Sequence, residues 1–134
     1  MHLNYITGEI IESALRAHNG LGPGMLESVY EKVLYSALTK KGFHVERQFP
    51  VSFKFDEMEF RNGFRIDLFV ENAVIIEIKS IECIAPAHTK QLLTYLRLAK
   101  VEIGLLLNFG GATLKEGLRR VVNNYRPQSE SEAV

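Results

Sequence analysis

The chain has 134 residues, with sixteen basic and sixteen acidic side chains, four histidines and one cysteine. One domain of this size buries roughly two-thirds of its unfolded surface and folds without staples, which suits a chain whose lone Cys83 has no internal partner. The charge balance argues against a sequence-independent nucleic-acid coat protein while leaving room for a local basic groove, and no apolar run approaches the ~20 residues of a membrane span.

The first stretch, MHLNYITGEIIESAL, lacks the basic start and apolar block of a signal peptide, so a cytoplasmic location and no membrane partner are expected. Ile6, Ile10, Ala14 and Ala17 recur at helical spacing, predicting a helix over 4–18 with Asn4 as its N-cap. Three glycines and Pro23 in the segment 19–24 break it, but no G-K-[ST] follows them to make a phosphate loop. A second helix is expected from about Met25 to Lys40, burying Leu26, Tyr30, Val33, Leu34, Ala37 and Leu38. Steps of 100° put Glu27 inside that apolar arc, where it either snorkels at the margin or points at a polar site in the sheet, while Glu31, Lys32 and Lys40 are assigned to the solvated face.

From Glu46 the period changes to two. Phe49, Val51, Phe53 and Phe55 alternate with polar residues as a half-buried strand, Asp56-Glu57 turns the chain, and Asn62-Gly63 marks a bulge or second turn in a return strand through Val70. Glu71-Asn72 turns it again into Ala73 to Lys79, completing an antiparallel meander. Pro86 suits the first turn of a helix to about Lys100, with Leu92, Tyr95, Leu96 and Ala99 inward. Val101 to Phe109 reads as a strand buried on both faces, and Leu114 to Val122 as a short basic helix. The expected order is α-α-β-β-β-α-β-α, an α/β fold in which a mixed sheet carries helices. Residues 1–123 form the single expected domain, and 124–134 an expected disordered tail.

Charge interrupts the two oiliest strands. Glu77 and Lys79 flank Ile78 on one face, and pairing about Glu71-Asn72 brings Asp67 opposite positions 76 to 78. Carboxylates this close repel unless a cation neutralises them, and oxygen ligands without His or Cys suit Mg²⁺ or Mn²⁺. The other reading is a cross-strand ion-pair cluster of Asp67, Glu77 and Lys79.

Several motifs in order make the sequence resemble the PD-(D/E)XK nuclease superfamily and, within it, the GxxExxY proteins. They are Gly24-Met25-Leu26-Glu27-Ser28-Val29-Tyr30 with the leading run LGPG at Leu21 to Gly24, then FRIDLFV, IIEIK, QLLTYL from Gln91, and GLLLNFG from Gly104, together covering most of 4–122. The resemblance implies a restriction-endonuclease-like core and a Mg²⁺- or Mn²⁺-dependent hydrolase of phosphodiester bonds. It makes Asp67 and Glu77 metal ligands with the Ile78 carbonyl, Lys79 the catalytic lysine, Glu27 the helix glutamate that completes the acidic site, and Gln91 with Tyr95 a pair that positions phosphate or water. The proline of the family name is Ile66 here; it is not a ligand.

Weaker candidates for nucleic-acid contact are His88, Lys115, Arg119 and Arg120, each of which also reads as an ordinary surface residue. DNA or RNA is the expected partner, and the small neutral surface predicts that a homodimer or a larger partner completes the binding groove. The alternative function is a catalytically silent nucleic-acid-binding or assembly module that keeps the fold.

Overall fold

A computed structural model describes residues 2–124. The elements are α1 (Leu3–Leu21), α2 (Glu27–Lys40), β1 (Val45–Phe55), β2 (Met58–Val70), β3 (Val74–Lys79), α3 (Pro86–Ala99), β4 (Ile103–Asn108), a 3₁₀ turn (Lys115–Gly117) and β5 (Leu118–Val122). The sheet runs β1-β2-β3-β4-β5, antiparallel except for β3 and β4, which α3 connects as a crossover. The expected mixed α/β sheet with packed helices is therefore present. The expected tail lies outside the described residues apart from Asn124. Among the described residues no helix is long and apolar enough to cross a membrane.

Helices cover both faces. Ile6, Ile10 and Ala14 of α1 join Tyr30, Leu34 and Leu38 of α2 against Val74, Ile76, Ile78, Leu105 and Leu107. On the other face Leu92 and Leu96 of α3 pack on Ile66, Ile75 and Leu106. β3 and β4 are buried on both sides because each face meets a helix layer, which is why their sequences are apolar apart from Glu77, Lys79 and Asn108.

The last element corrects the sequence reading: Leu114 to Val122 is not a helix. Leu114, Leu118, Val121 and Val122 fit the i, i+4, i+7, i+8 spacing of a helix, but β4 would otherwise present an open, buried edge. Leu118 to Val122 pair antiparallel with it, from Leu107↔Leu118 to Ile103↔Val122, and the β-branched Val121 and Val122 suit that role. Gly117 permits the tight approach, since a Cβ there would stand 2.5 Å from the Asn108 carbonyl oxygen.

Smaller corrections follow local chemistry. The cap of α1 is His2, whose Nδ1 accepts from the Asn4 N–H at 3.2 Å, rather than Asn4 itself. Leu26 is extended and 74% exposed, and α2 begins only at Glu27; Val33 also faces solvent. The β1–β2 hairpin outruns β3, which pairs only with Leu68 to Val70, so Phe55, read from alternation as part of a buried face, is exposed at its tip together with Met58 and Phe60. The expected irregularity occurs where the register shifts between Val51 and Phe53. There Gly63 leaves room for the Phe53 ring, which a Cβ at that position would strike. Glu71 and Asn72 both adopt positive φ, 54° and 51°, and the Ala73 N–H donates to the Val70 carbonyl at 2.9 Å, so a three-residue connection precedes the Val70↔Val74 pair.

Candidate active site

The β2–β3 ladder ends at Leu68↔Ile76, one step short of pairing Asp67 with Glu77. Side chains take over there. The Ile78 N–H donates to Asp67 Oδ2 at 2.8 Å, and the Asp67 N–H lies 3.4 Å from Glu77 Oε1. Backbone hydrogen bonds of the sheet are thus exchanged for carboxylate acceptors at the point where β2 and β3 part, while β3 continues beside β4 through Lys79↔Asn108.

Glu77 is 7% exposed in a strand that is apolar but for it and the terminal Lys79. Burial, followed by the charge of Asp67, pushes its carboxyl up to about 9; the Asp67 N–H and the more distant charge of Lys79 pull only weakly the other way. Two carboxyl groups that meet here, the buried one pushed toward its protonated form chiefly by desolvation, form a donor set that a hard divalent cation fits. Mg²⁺ accepts one or two carboxylates and keeps several waters. Among the described residues no group of three or more His, Cys, Asp or Glu side chains gathers to hold a metal, so remaining ligands would be backbone oxygen or water.

Asp67 and Ile78 line a cavity of about 360 Å³ with Glu27, Ser28, Glu31 and Gln48. Glu27, the first residue of α2, is exposed and lines this cavity from the helix end. Glu31, one turn further, overturns the sequence assignment: it is buried, 7% exposed, not solvated. Arg47 donates to its Oε2 from Nε at 3.3 Å and Nη2 at 3.1 Å, and Gln48 Nε2 donates to its Oε1 at 2.6 Å. The same Gln48 nitrogen reaches Asp67 Oδ1 at 3.3 Å, so one amide ties two acids together. Gln48 adopts φ 49°, the left-handed region, which turns it out of the normal strand alternation. Arg47, Glu31, Gln48 and Asp67 form a connected network that orients the aspartate.

Sequence reasoning missed Glu31 and Gln48. The helical wheel held a signal for the first, since Glu31 falls only about 20° from Leu38; a single glutamine in a strand holds none for the second. Replacing Glu31 with alanine is expected to cost about 1–3 kcal/mol, because Arg47 and Gln48 lose their acceptor in a half-buried setting. Urea denaturation measures it, and an unchanged midpoint would mean that the network carries no stability.

The loop that launches α2 explains the glycine and tyrosine of the GxxExxY pattern. Gly22 and Gly24 have φ of 79° and 86°. The Tyr30 hydroxyl donates to the Gly22 carbonyl at 2.5 Å and accepts from the Met25 N–H at 3.1 Å, while its ring stacks on Phe109 at 4.3 Å. Gly24 N–H donates to the Phe109 carbonyl, and Ser80 Oγ to that of Met25. Phe109 N–H in turn donates to the Lys79 carbonyl at 2.8 Å. The positions of Glu27 and Lys79 are therefore set by one buried clamp. Tyr30→Phe should lower stability by about 1–3 kcal/mol, read by urea denaturation, because two backbone groups lose their partner and the ring stays.

Lys79 is half-buried at the end of β3, two residues past Glu77, and its ammonium has no ion pair among the described residues. Tyr95 stacks on Phe64 at 4.1 Å. Its hydroxyl pKa is raised by burial and then by the charges of Glu77 and Asp67. Gln91 is exposed one turn earlier on α3. His88 caps that helix, its Nδ1 accepting from the Ala85 N–H at 2.9 Å. Lys115 lies in the 3₁₀ turn, exposed. Arg119 Nη1 donates to the Glu116 and Leu118 carbonyls, and Arg120 reaches Thr7 Oγ1 and Asn4 Oδ1 of α1 at 3.1 and 2.9 Å. As neighbours in a strand these two arginines point to opposite faces, so the three cations do not form one helical patch.

Comparison with protein families finds one whose model, described as the PD-(D/E)XK nuclease superfamily, matches residues 4–121. No curated protein and no solved structure matches.

Proposed function

The chain belongs to the PD-(D/E)XK nuclease superfamily, and from that premise we propose that it is a Mg²⁺- or Mn²⁺-dependent nuclease that hydrolyses phosphodiester bonds in DNA or RNA. The observation that carries this reading is the meeting of Asp67 and Glu77 where β2 and β3 part, with Lys79 on the same face of β3.

Asp67 and Glu77 would hold the cation, with the Ile78 carbonyl, and Glu27 would join them directly or through water. A bound divalent cation supplies Lewis-acid polarisation of the phosphate and a more acidic water. The chain's own residues do the rest. Glu77 enters the reaction ionised once positive charge is beside it, because the same burial that holds its proton strengthens any attraction to a cation. Lys79 places its ammonium where negative charge develops on the phosphate and orients the attacking water. Tyr95, whose hydroxyl keeps its proton, donates a hydrogen bond to a phosphate oxygen, and Gln91 offers its amide from the same side of α3. The Arg47–Glu31–Gln48 network holds Asp67 in place without touching substrate.

A second reading is a catalytically silent nucleic-acid-binding or assembly module. It is favoured by the exposure of Glu27 and by the lack of a third acidic ligand gathered at the pair among the described residues. Incubation with single- and double-stranded DNA and RNA in Mg²⁺ or Mn²⁺ separates the two. The nuclease reading expects cleavage that Asp67→Ala abolishes; cleavage that survives the substitution comes from a contaminant and sinks it.

A further inference from the structure

We infer that the cationic groove between α1 and α2 holds the phosphodiester backbone of a single nucleic-acid strand that extends from the acidic cleft. This rests on the nuclease reading for what occupies the cleft, but it concerns a surface that does not include Asp67 or Glu77. The groove, of about 610 Å³, is lined by Arg16, Lys32, Lys40 and Lys41 together with Ser13 and Ser36. In a chain with formal net charge zero, four cations here are a local excess that Glu9 and Glu12, both on Lys41, only partly offset.

Lys41 is neutralised by Glu12 and by Glu9 at 3.8 Å. Arg16, after Lys41, helps to lower the pKa of Glu12 but makes no ion pair with it, and Lys32 and Lys40 have no acidic partner among the described residues. Ser13, 3% exposed, carries a hydroxyl with no hydrogen-bond partner. Val33 and Ala37 add apolar surface, which suits sugar and base faces between phosphates.

The groove connects to the cleft along one row of α2. Ser28, Lys32, Ser36 and Lys40 follow one another four residues apart, so they lie in line on the helix surface. Ser28 lines the acidic cavity beside Glu27 and Asp67; Lys32, Ser36 and Lys40 line the groove. At the helical rise this row spans about 18 Å, the reach of a few nucleotides of extended strand. Packed helix axes stand about 8–10 Å apart with side chains filling the space between, so the groove is a cleft on the surface of the pair, sized for one strand's backbone rather than a duplex.

The test is binding without cleavage. Labelled twelve-nucleotide single strands of DNA and RNA, and the DNA duplex, are titrated by fluorescence anisotropy in chelator at several salt concentrations. For the single strands, Lys32→Ala/Lys40→Ala is expected to weaken binding and to reduce the slope of log K against log salt by about 1.4, the loss of two phosphate contacts. Lys54→Ala, on the distant hairpin, should leave both unchanged. The DNA and RNA arms show which backbone is taken. An unaltered slope in the double variant, no binding of either strand by the wild type, or an equal effect on the duplex overturns the inference. Cleavage assays on the same strands separate the failures: wild-type cleavage with an unaltered slope removes the groove and keeps the nuclease, and an altered slope without cleavage does the reverse.

Discussion

Glu77→Gln is expected to raise the stability of the metal-free protein at pH 8 while eliminating its stabilisation by Mg²⁺ and its cleavage of nucleic acid. An ordinary glutamate titrates near 4.5, whereas the folded-state carboxyl of Glu77 is pushed up to about 9, first by burial and then by Asp67. Between those values the folded protein binds a proton that the unfolded chain has released. Stability is therefore fully present below about pH 4.5, declines as pH rises through the window, and levels off above about 9. Glutamine has no such proton and is nearly isosteric, so the variant loses the decline. At pH 8 the difference amounts to a few kcal/mol, which in a domain of this size moves the melting temperature up by roughly 5–15 °C. Adding Mg²⁺ should do for the wild type what the substitution does for the variant, since a ligand that binds only the folded state stabilises it by mass action. Thermal melts at pH 5, 7 and 9 with and without Mg²⁺ measure all of this. A wild-type stability that rises with pH across the window would show that Glu77 is ionised in the free protein and would remove the basis for a cation-dependent pair.

The trade that Glu77 embodies is the reason the candidate site stands out in the chain. A charged residue in a continuously apolar strand costs stability, so Asp67, Glu77 and Lys79 stand out against their neighbours wherever burial is legible. Helix and strand periods placed α1, α2, β1 to β4 and α3 within a few residues, and the left-handed turn at Glu71-Asn72 fixed the register that brings Asp67 to Glu77. What stayed hidden depends on partners distant in sequence. Glu31 is buried because Arg47 and Gln48 arrive from β1, sixteen and seventeen residues on, to satisfy it. β5 is a strand because the edge of β4 is available to it, although its apolar spacing fits a helix equally well. The exposed hairpin tip follows from the shortness of β3, which alternation within β1 does not reveal. Local pattern specifies what a segment can be; a neighbouring edge or counter-charge decides which option is taken.

Lys79→Met is expected to separate cation binding from chemistry. Lys79 carries positive charge close enough to Glu77 to lower its pKa slightly, so in the free protein it opposes the arrival of another cation as well as the proton. Removing that charge should leave Mn²⁺ binding intact or tighter, while the methionine preserves the length and apolar stem of the half-buried side chain. Cleavage should fall by about 10²–10⁴-fold, the range lost when one positioned proton-transfer or charge-stabilising group is removed. Asp67→Ala should behave differently, losing both, because under the proposed function its carboxylate would supply a ligand oxygen, and it also anchors the Ile78 N–H and Gln48. Calorimetric titration with Mn²⁺ beside single-turnover cleavage of a labelled strand resolves the pair. Loss of Mn²⁺ binding in Lys79→Met, in a variant whose melting temperature matches the wild type, would mean that the lysine shapes the acidic pair and does not act on the phosphate.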